Sequence, residues 1–234
     1  MSDRPDNDAR DRVIARVRAA LGARGRFSGV GARRQAEEYV AARAHGPRPR
    51  MPAEPEALIA RFMQRATDME STVARIGSIE EMPAEVARYL DTVAARAPGT
   101  EGPPREGVCW PEFADLDWAG SQLRIRAQPT VGDDRLGITG TFCAVAETGT
   151  LVILPGPDAP TATALLPETH IAVVRAARVV SGMEEAFALI RRERDTMPRA
   201  INFISGPSRT GDIEQTIVLG AHGPYRVHIL VVDR

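Results

Sequence analysis

Residues 136–154 read LGITGTFCAVAETGTLVIL, and the class of fold turns on how this run is parsed. Ile, Val, Thr and Phe recur in it, residues that fit a pleated, buried surface better than a helix. Gly137, Gly140 and Gly149 punctuate it. The pattern predicts an opening turn, a buried strand, a tight turn over Glu147–Thr150 and a second strand from Leu151. A strand without polar alternation is buried on both faces, which is the habit of parallel sheets covered by helices.

Toward the C-terminus, residues 161–166 predict a short helical segment and residues 170–174 and 178–180 strands. Ser181 opens a helix with Glu184 where a capping box wants it, ending near Thr196 before Pro198. Residues 201–205 predict a strand, 205–212 (SGPSRTGD) a loop, 213–219 a helix and 227–232 a final apolar strand. Toward the N-terminus, strands are expected at 123–127, 108–110 and 72–76, with a Pro/Gly loop at 98–107. Helices are expected at 82–97, with Val86, Tyr89, Leu90 and Val93 as its stripe, and at 54–70, with Leu58, Ile59, Phe62 and Met63. Strands alternating with helices specify an α/β domain over 54–234, a mostly parallel sheet with helices on both faces.

Residues 1–53 form an N-terminal helical arm and Pro-rich linker. Its first eight residues are polar and expected to be disordered. A helix follows over 9–21, stopped by Gly22, then a Gly/Arg-rich break at 24–31 and a polar helix at 32–44. With many Arg and few large apolar residues, the arm is expected to pack on the main body or on a second subunit, so homo-oligomerisation is an expectation.

The 234 residues are 43% hydrophobic, enough for one substantial core. A formal net charge of -1 gives no electrostatic reason to expect nucleic acid or an anionic membrane as partner. No apolar run is long enough to span a bilayer, and the polar N-terminus is no secretory signal, so a cytoplasmic location is expected. All 30 basic residues are Arg, which excludes Schiff-base lysine chemistry and a P-loop lysine. Two cysteines, Cys109 and Cys143, cannot build a four-thiolate cluster or zinc site, and both are expected in the core. The four His form no i, i+4 metal pair. His170 is expected to be a hydrogen-bonded core or crevice residue. Trp110, Phe113 and Trp118 form either core packing or a surface for a partner.

Three segments carry candidate chemistry. Glu147, ending a strand ahead of Thr148, Gly149 and Thr150, is a candidate nucleophile, acid/base or substrate clamp. The plainer reading has it satisfy backbone N–H groups in a tight turn. Ser205, Gly206, Ser208, Arg209 and Thr210 form a small, hydroxyl-rich passage from strand to expected helix. It is either an anion site or an ordinary capped turn. His222, before the last strand, caps helix carbonyls or takes part in a site.

The blocks 137–154, LLPETHIAVV at 165–174, ISGPSRTGDIEQTIVLGAHGP at 204–224 and VHILVV at 227–232 stand in an order and spacing that resemble the lactate utilisation protein C family. The similarity covers roughly residues 55–234. The resemblance implies a domain of the fold shared by ribose-phosphate isomerases, glucosamine-phosphate deaminases and CoA transferases. It also implies an accessory role in oxidising L-lactate to pyruvate, beside iron–sulfur protein subunits that hold the clusters, with no cofactor bound by this chain. Related CoA transferases use a Glu at a strand end, which Glu147 matches at the level of fold alone. The family often has an acidic or aromatic residue after the position of Cys143, where this chain has Ala144. The alternative is a small-molecule enzyme or sensor taking a phosphate, carboxylate or CoA-type ligand at the strand ends.

Overall fold

The computed structural model describes residues 6–23, 30–42, 46, 48–96, 103–213, 216–220 and 222–234. The chain divides into two units, Met1–Arg48 and Pro49–Arg234. The first holds α1 (Asp6–Ala23) and α2 (Val30–Ala42). Residues 6–8, expected to be disordered, are thus helical, while residues 1–5, most of the Gly/Arg-rich break and His45 lie outside the described residues. Val13 and Val17 of α1 and Tyr39 and Val40 of α2 are exposed, so neither helix has a well-covered apolar face. Ion pairs Arg33–Glu37 and Arg34–Glu38, one turn apart, support α2 locally.

The second unit begins with α3 (Pro55–Asp68), where Pro55 sits in the first turn that tolerates it and Ile59, Phe62 and Ala66 face inward. Then come β1 (Thr72–Ile76), α4 (Met82–Arg96), β2 (Glu106–Cys109), β3 (Arg124–Ala127), β4 (Leu136–Gly140), β5 (Cys143–Val145) and β6 (Thr150–Ile153). They are followed by α5 (Ala162–Leu165), β7 (Thr169–Arg175), β8 (Val179–Val180), α6 (Met183–Glu193), β9 (Asn202–Ile204), β10 (Arg209–Ile213), β11 (Thr216–Leu219) and β12 (Arg226–Val232).

The main sheet has the order β1-β12-β7-β4-β2-β3, and every neighbouring pair is parallel. Side chains of a strand alternate between faces, and both faces here are covered. Ile171, Val173, Leu230 and Val232 pack with Met82, Val86 and Leu90 of α4 and Ala164 of α5. Ala172, Val174, Val227, Ile229 and Val231 pack with Ile59, Phe62 and Ala66 of α3 and with Ala144 and Leu151. Those last two belong to a second sheet, β8-β5-β6-β9, whose other side (Cys143, Val145, Val152, Leu154) is closed by Ala186, Leu189 and Ile190 of α6. Each Val, Leu, Ile, Phe or Met side chain among these contributes about 1.5–3 kcal/mol when fully buried.

Further expectations are corrected. The run 136–154 forms three strands in two sheets. The chain leaves the main sheet at Thr141 and Phe142, and the Phe142 N–H donates to the Val152 carbonyl at 2.8 Å. Residues 213–219 do not form a helix. β10 and β11 pair antiparallel, with Arg209 opposite Leu219 and Ile213 opposite Thr216, and the expected loop at 205–212 becomes a strand from Arg209. Ile213, Thr216, Ile217 and Val218 are β-branched, and their stiff χ1 favours the strand. Finally, α6 is capped by Gly182 without a side-chain bond, and the Ser181 carbonyl instead accepts from the Glu147 N–H at 3.0 Å.

Candidate functional site

Two of the predicted turns meet at the end of α3. Gly149 has φ 70° and a Cβ there would lie 2.4 Å from the Ala66 nitrogen; Gly206 has φ 86° and its Cβ would lie 2.1 Å from the Met69 carbonyl oxygen. Between them Thr148 Oγ1, Thr150 Oγ1 and Ser205 Oγ form a chain of hydrogen bonds, 2.7 Å each. Arg209 joins the same helix end. Its Nη1 donates to Glu70 Oε1 at 2.9 Å and its Nη2 to the Met69 carbonyl at 3.4 Å. Thr148, Gly149, Thr150, Ser205, Gly206 and Arg209 therefore gather around one helix terminus. The hydroxyls satisfy one another and the guanidinium already has its carboxylate, which is the arrangement of a strut.

The remaining predicted residues go elsewhere. The Glu147 carboxylate lies 3.1 Å from where a Cβ would stand on Gly182, beside Glu184 and Glu185 at the amino end of α6, where the helix dipole favours negative charge. The Ser208 N–H donates to the Pro224 carbonyl, and the Ser208 side chain approaches Gly223. His222 is exposed, and with 213–219 forming no helix it has no helix end to cap. Thr210 lies in β10, and its side chain is outside what is described.

A cleft opens at the carboxyl ends of β2, β4 and β7, where a parallel sheet presents its loops to a ligand. Past β2 come Trp110 and a 3-10 turn, Pro111–Phe113, that carries Glu112; past β4 come Thr141 and Phe142; β7 ends on Arg175; α6 leads into Arg194. One lobe, about 520 Å³, is lined by Trp110, Glu112, Leu154, Asp158 and Arg194 among others. The adjoining lobe, about 340 Å³, is lined by Thr141, Phe142, Arg175 and Arg178 and shares Trp110, Leu154 and Arg194. Both volumes suit a small organic ligand.

Local chemistry shapes the cleft. A Cβ on Gly140 would lie 2.1 Å from Glu112 Oε1, so the bare backbone at the end of β4 is what leaves room for that carboxyl. Although Glu112 as a residue is exposed, its carboxyl is pressed onto the sheet. Loss of water there raises its pKa above the usual carboxylate range, with the Arg175 guanidinium opposing. Arg178 is fixed: Nε donates to the Phe142 carbonyl at 2.8 Å, and Nη1 and Nη2 grip Glu193 at 2.7 and 2.9 Å. That grip holds the Glu193 pKa low. The Arg178 guanidinium also lies 4.6 Å, and that of Arg194 5.6 Å, from the Phe142 ring centre. Among the described residues, no carboxylate lies within ion-pair distance of Arg175 or Arg194. The arrangement can hold an anion and, through Glu112, give or take a proton.

Trp110, which the sequence left between core packing and a partner surface, is buried with its Nε1 donating to the Pro160 carbonyl, and sequence reasoning missed the rest of this cleft. The signal available was a charged residue, Arg175, closing the apolar run of β7, and a glycine closing β4.

The histidines and cysteines stand apart. His170, fully buried, is 2.8 Å from Thr139 Oγ1 through Nε2, and burial pushes its pKa down to about 3. His228 stacks on Tyr89 with ring centres 4.0 Å apart, and burial lowers its pKa to about 4. Cys109 and Cys143 are buried, which pushes each thiol up to about 11. Trp110, Phe113 and Trp118 are buried packing residues. Among the described residues, no group of three or more His, Cys, Asp or Glu is placed to hold a metal, and no helix is long and apolar enough to cross a membrane.

Comparison with known proteins follows the same lines. The LUD domain model matches residues 111–232. The chain is similar to lactate utilization protein C of Bacillus subtilis (41% identity over 135 residues, 56% of this chain and 54% of the relative). It is also similar to that of Geobacillus kaustophilus (33% over 178 residues, 67% and 72%). In Bacillus licheniformis the match is 33% over 132 residues. With the two Bacillus proteins it spans about half of the relative's length. The crystal structure of a DUF162 family protein from Deinococcus radiodurans superposes with a TM-score of 0.52 at 22% identity, covering 77% of this chain and 99% of that one, which shows a shared fold. A family model spanning half the sequence, relatives above 30% identity and a parallel six-stranded sheet agree: this chain belongs to the LUD domain family.

Proposed function

We propose that the chain takes part in lactate utilisation, as a cytoplasmic component that binds no redox centre and works beside iron–sulfur protein subunits in oxidising L-lactate to pyruvate. The observation that carries this reading is the shared name of its relatives, lactate utilization protein C. Oxidising lactate to pyruvate releases two electrons, and some group must accept them. The two thiols of this chain lie in separate core clusters and are held protonated by burial, which favours an acceptor on a partner protein. The test is deletion of the gene and complementation. Growth on L-lactate is expected to stop without it. It is expected to return with the full chain and equally with a Cys109→Ala, Cys143→Ala double variant. Undiminished growth of the deletion strain would overturn the proposal.

One observation favours a second reading. Arg175 and Arg194 line a cleft and, among the described residues, neither has a carboxylate within ion-pair distance, as in an enzyme or sensor for a carboxylate, phosphate or CoA-type ligand. Ligand-induced stabilisation of the purified chain, with or without turnover, separates these possibilities.

A further inference from the structure

We propose that the cleft binds a small 2-hydroxy or 2-oxo monocarboxylate, its carboxylate held between Arg175 and Arg194 and its neighbouring oxygen facing the carboxyl of Glu112. The choice of acid rests on the lactate reading above; the choice of a monocarboxylate rests on the cleft itself.

Three features argue for it. First, the guanidiniums have divided roles. Arg178 is tied through all three nitrogens to Glu193 and the Phe142 carbonyl, so it builds the wall, whereas among the described residues no ion pair holds Arg175 or Arg194. Guanidinium forks match a carboxylate and hold it in a fixed plane. Second, the charges of the lining balance. Arg175, Arg178 and Arg194 stand against Glu112, Asp158 and Glu193. Such a lining accepts one further negative charge once Glu112 takes a proton, and disfavours a phosphate dianion or the several charges of a CoA ester. Third, Trp110, Phe142 and Leu154 give the cleft apolar wall, and polar contacts beside apolar surface are stronger than in bulk water. Gly140 leaves room for the Glu112 carboxyl over the end of β4, where it feels the charge of Arg175 and lines the larger lobe with Arg194 and Asp158. The larger lobe exceeds a three-carbon acid, so longer 2-hydroxy acids fit as well.

The experiment is calorimetric titration of the full chain with L-lactate, pyruvate, inorganic phosphate and CoA. Both acids are expected to bind and to compete with each other, while phosphate and CoA neither bind nor displace them. Arg175→Ala and Arg194→Ala should each weaken binding roughly tenfold or more, the loss of one charge-assisted contact. Arg124→Ala, on the sheet edge, should leave it unchanged. Wild-type affinity should rise as pH falls through the Glu112 titration, and Glu112→Gln should bind with no such dependence. No binding of either acid by the wild-type chain, or tighter binding of phosphate than of both, would overturn the site. The wild-type titration decides even where a variant fails to fold. Binding together with normal growth of the deletion strain would sink the lactate role and leave the site standing. Failed growth with no binding would do the reverse.

Discussion

Replacing Gly149 by Ala tests the contact between the 147–150 turn and α3. The perturbation has two parts. At φ 70° an alanine sits in the left-handed region, which costs about 1–2 kcal/mol. Its Cβ would also lie 2.4 Å from the Ala66 nitrogen and 2.5 Å from the Arg65 carbonyl carbon, both backbone atoms of a helix that cannot swing aside as a side chain can. Forcing such an overlap apart costs a further 1–3 kcal/mol or so. The expected total is roughly 2–5 kcal/mol, a fall in Tm on the order of 5–15 °C for a unit of this size. Two other glycines dissect it. Gly132, at φ 105° with nothing within 4 Å of a Cβ, should show the backbone cost alone. Gly156, whose Cβ would stand 4.0 Å from the Ala159 Cβ, should show neither, and Gly156→Ala should be neutral or stabilising by less than about 1 kcal/mol. Urea unfolding followed by tryptophan fluorescence reports on the second unit alone, because Trp110 and Trp118 are the only tryptophans. Should Gly149→Ala come within about 0.5 kcal/mol of Gly132→Ala, the packing of that turn on α3 is refuted.

Acid should destabilise the chain before its carboxylates titrate. His170 and His228 have folded pKa values of about 3 and about 4, below the unfolded value, so the unfolded state binds more protons and stability falls as pH drops below about 6.5. At pH 5 the loss is about 2 kcal/mol for each, so urea midpoints equal at pH 7.5 and pH 5 would contradict their burial. Gly140→Ala should push the Glu112 carboxyl off the end of β4, removing the pH dependence of ligand binding while the far-UV spectrum stays intact. Arg178→Ala frees Glu193 and the Phe142 carbonyl and should cost about 1–2 kcal/mol, discounted for partial exposure, measurable in the same urea assay. Glu147→Gln should leave growth on L-lactate unchanged, because that carboxylate faces the amino end of α6 and not the cleft.

Helices and strands with one clear period were legible in the sequence. The stripe Leu58, Ile59, Phe62 and Met63 marked α3, and the apolar runs of β7 and β12 marked buried parallel strands, because a 3.6 or continuous pattern leaves few other solutions. The β10–β11 hairpin was misread since the surrounding alternation of strand and helix outweighed the β-branched Ile213, Thr216, Ile217 and Val218. The division of residues 136–154 between two sheets was not legible. Leaving one sheet for another at Thr141 and Phe142 is decided by what packs on each side, and neither α3 nor α6 is nearby in sequence. The turns at Glu147 and Ser205 were singled out for their small and hydroxylated residues, and some of these do meet, but around a helix end. The cleft gathers Trp110, Glu112, Arg175 and Arg194 from far-apart segments, and only the strand order brings those ends together.

The sheet ends on β3, whose outward backbone groups could accept another strand. Arg124 and Arg126, two apart on this strand, are exposed and anchored to Glu106 and Asp134. A second copy aligning its own β3 would have to strip water from these long charged side chains and their carboxylate partners, so aggregation by edge-to-edge growth is discouraged. In a chain without lysine, arginine is the gatekeeper along this border, and Arg124→Val, Arg126→Val would remove it.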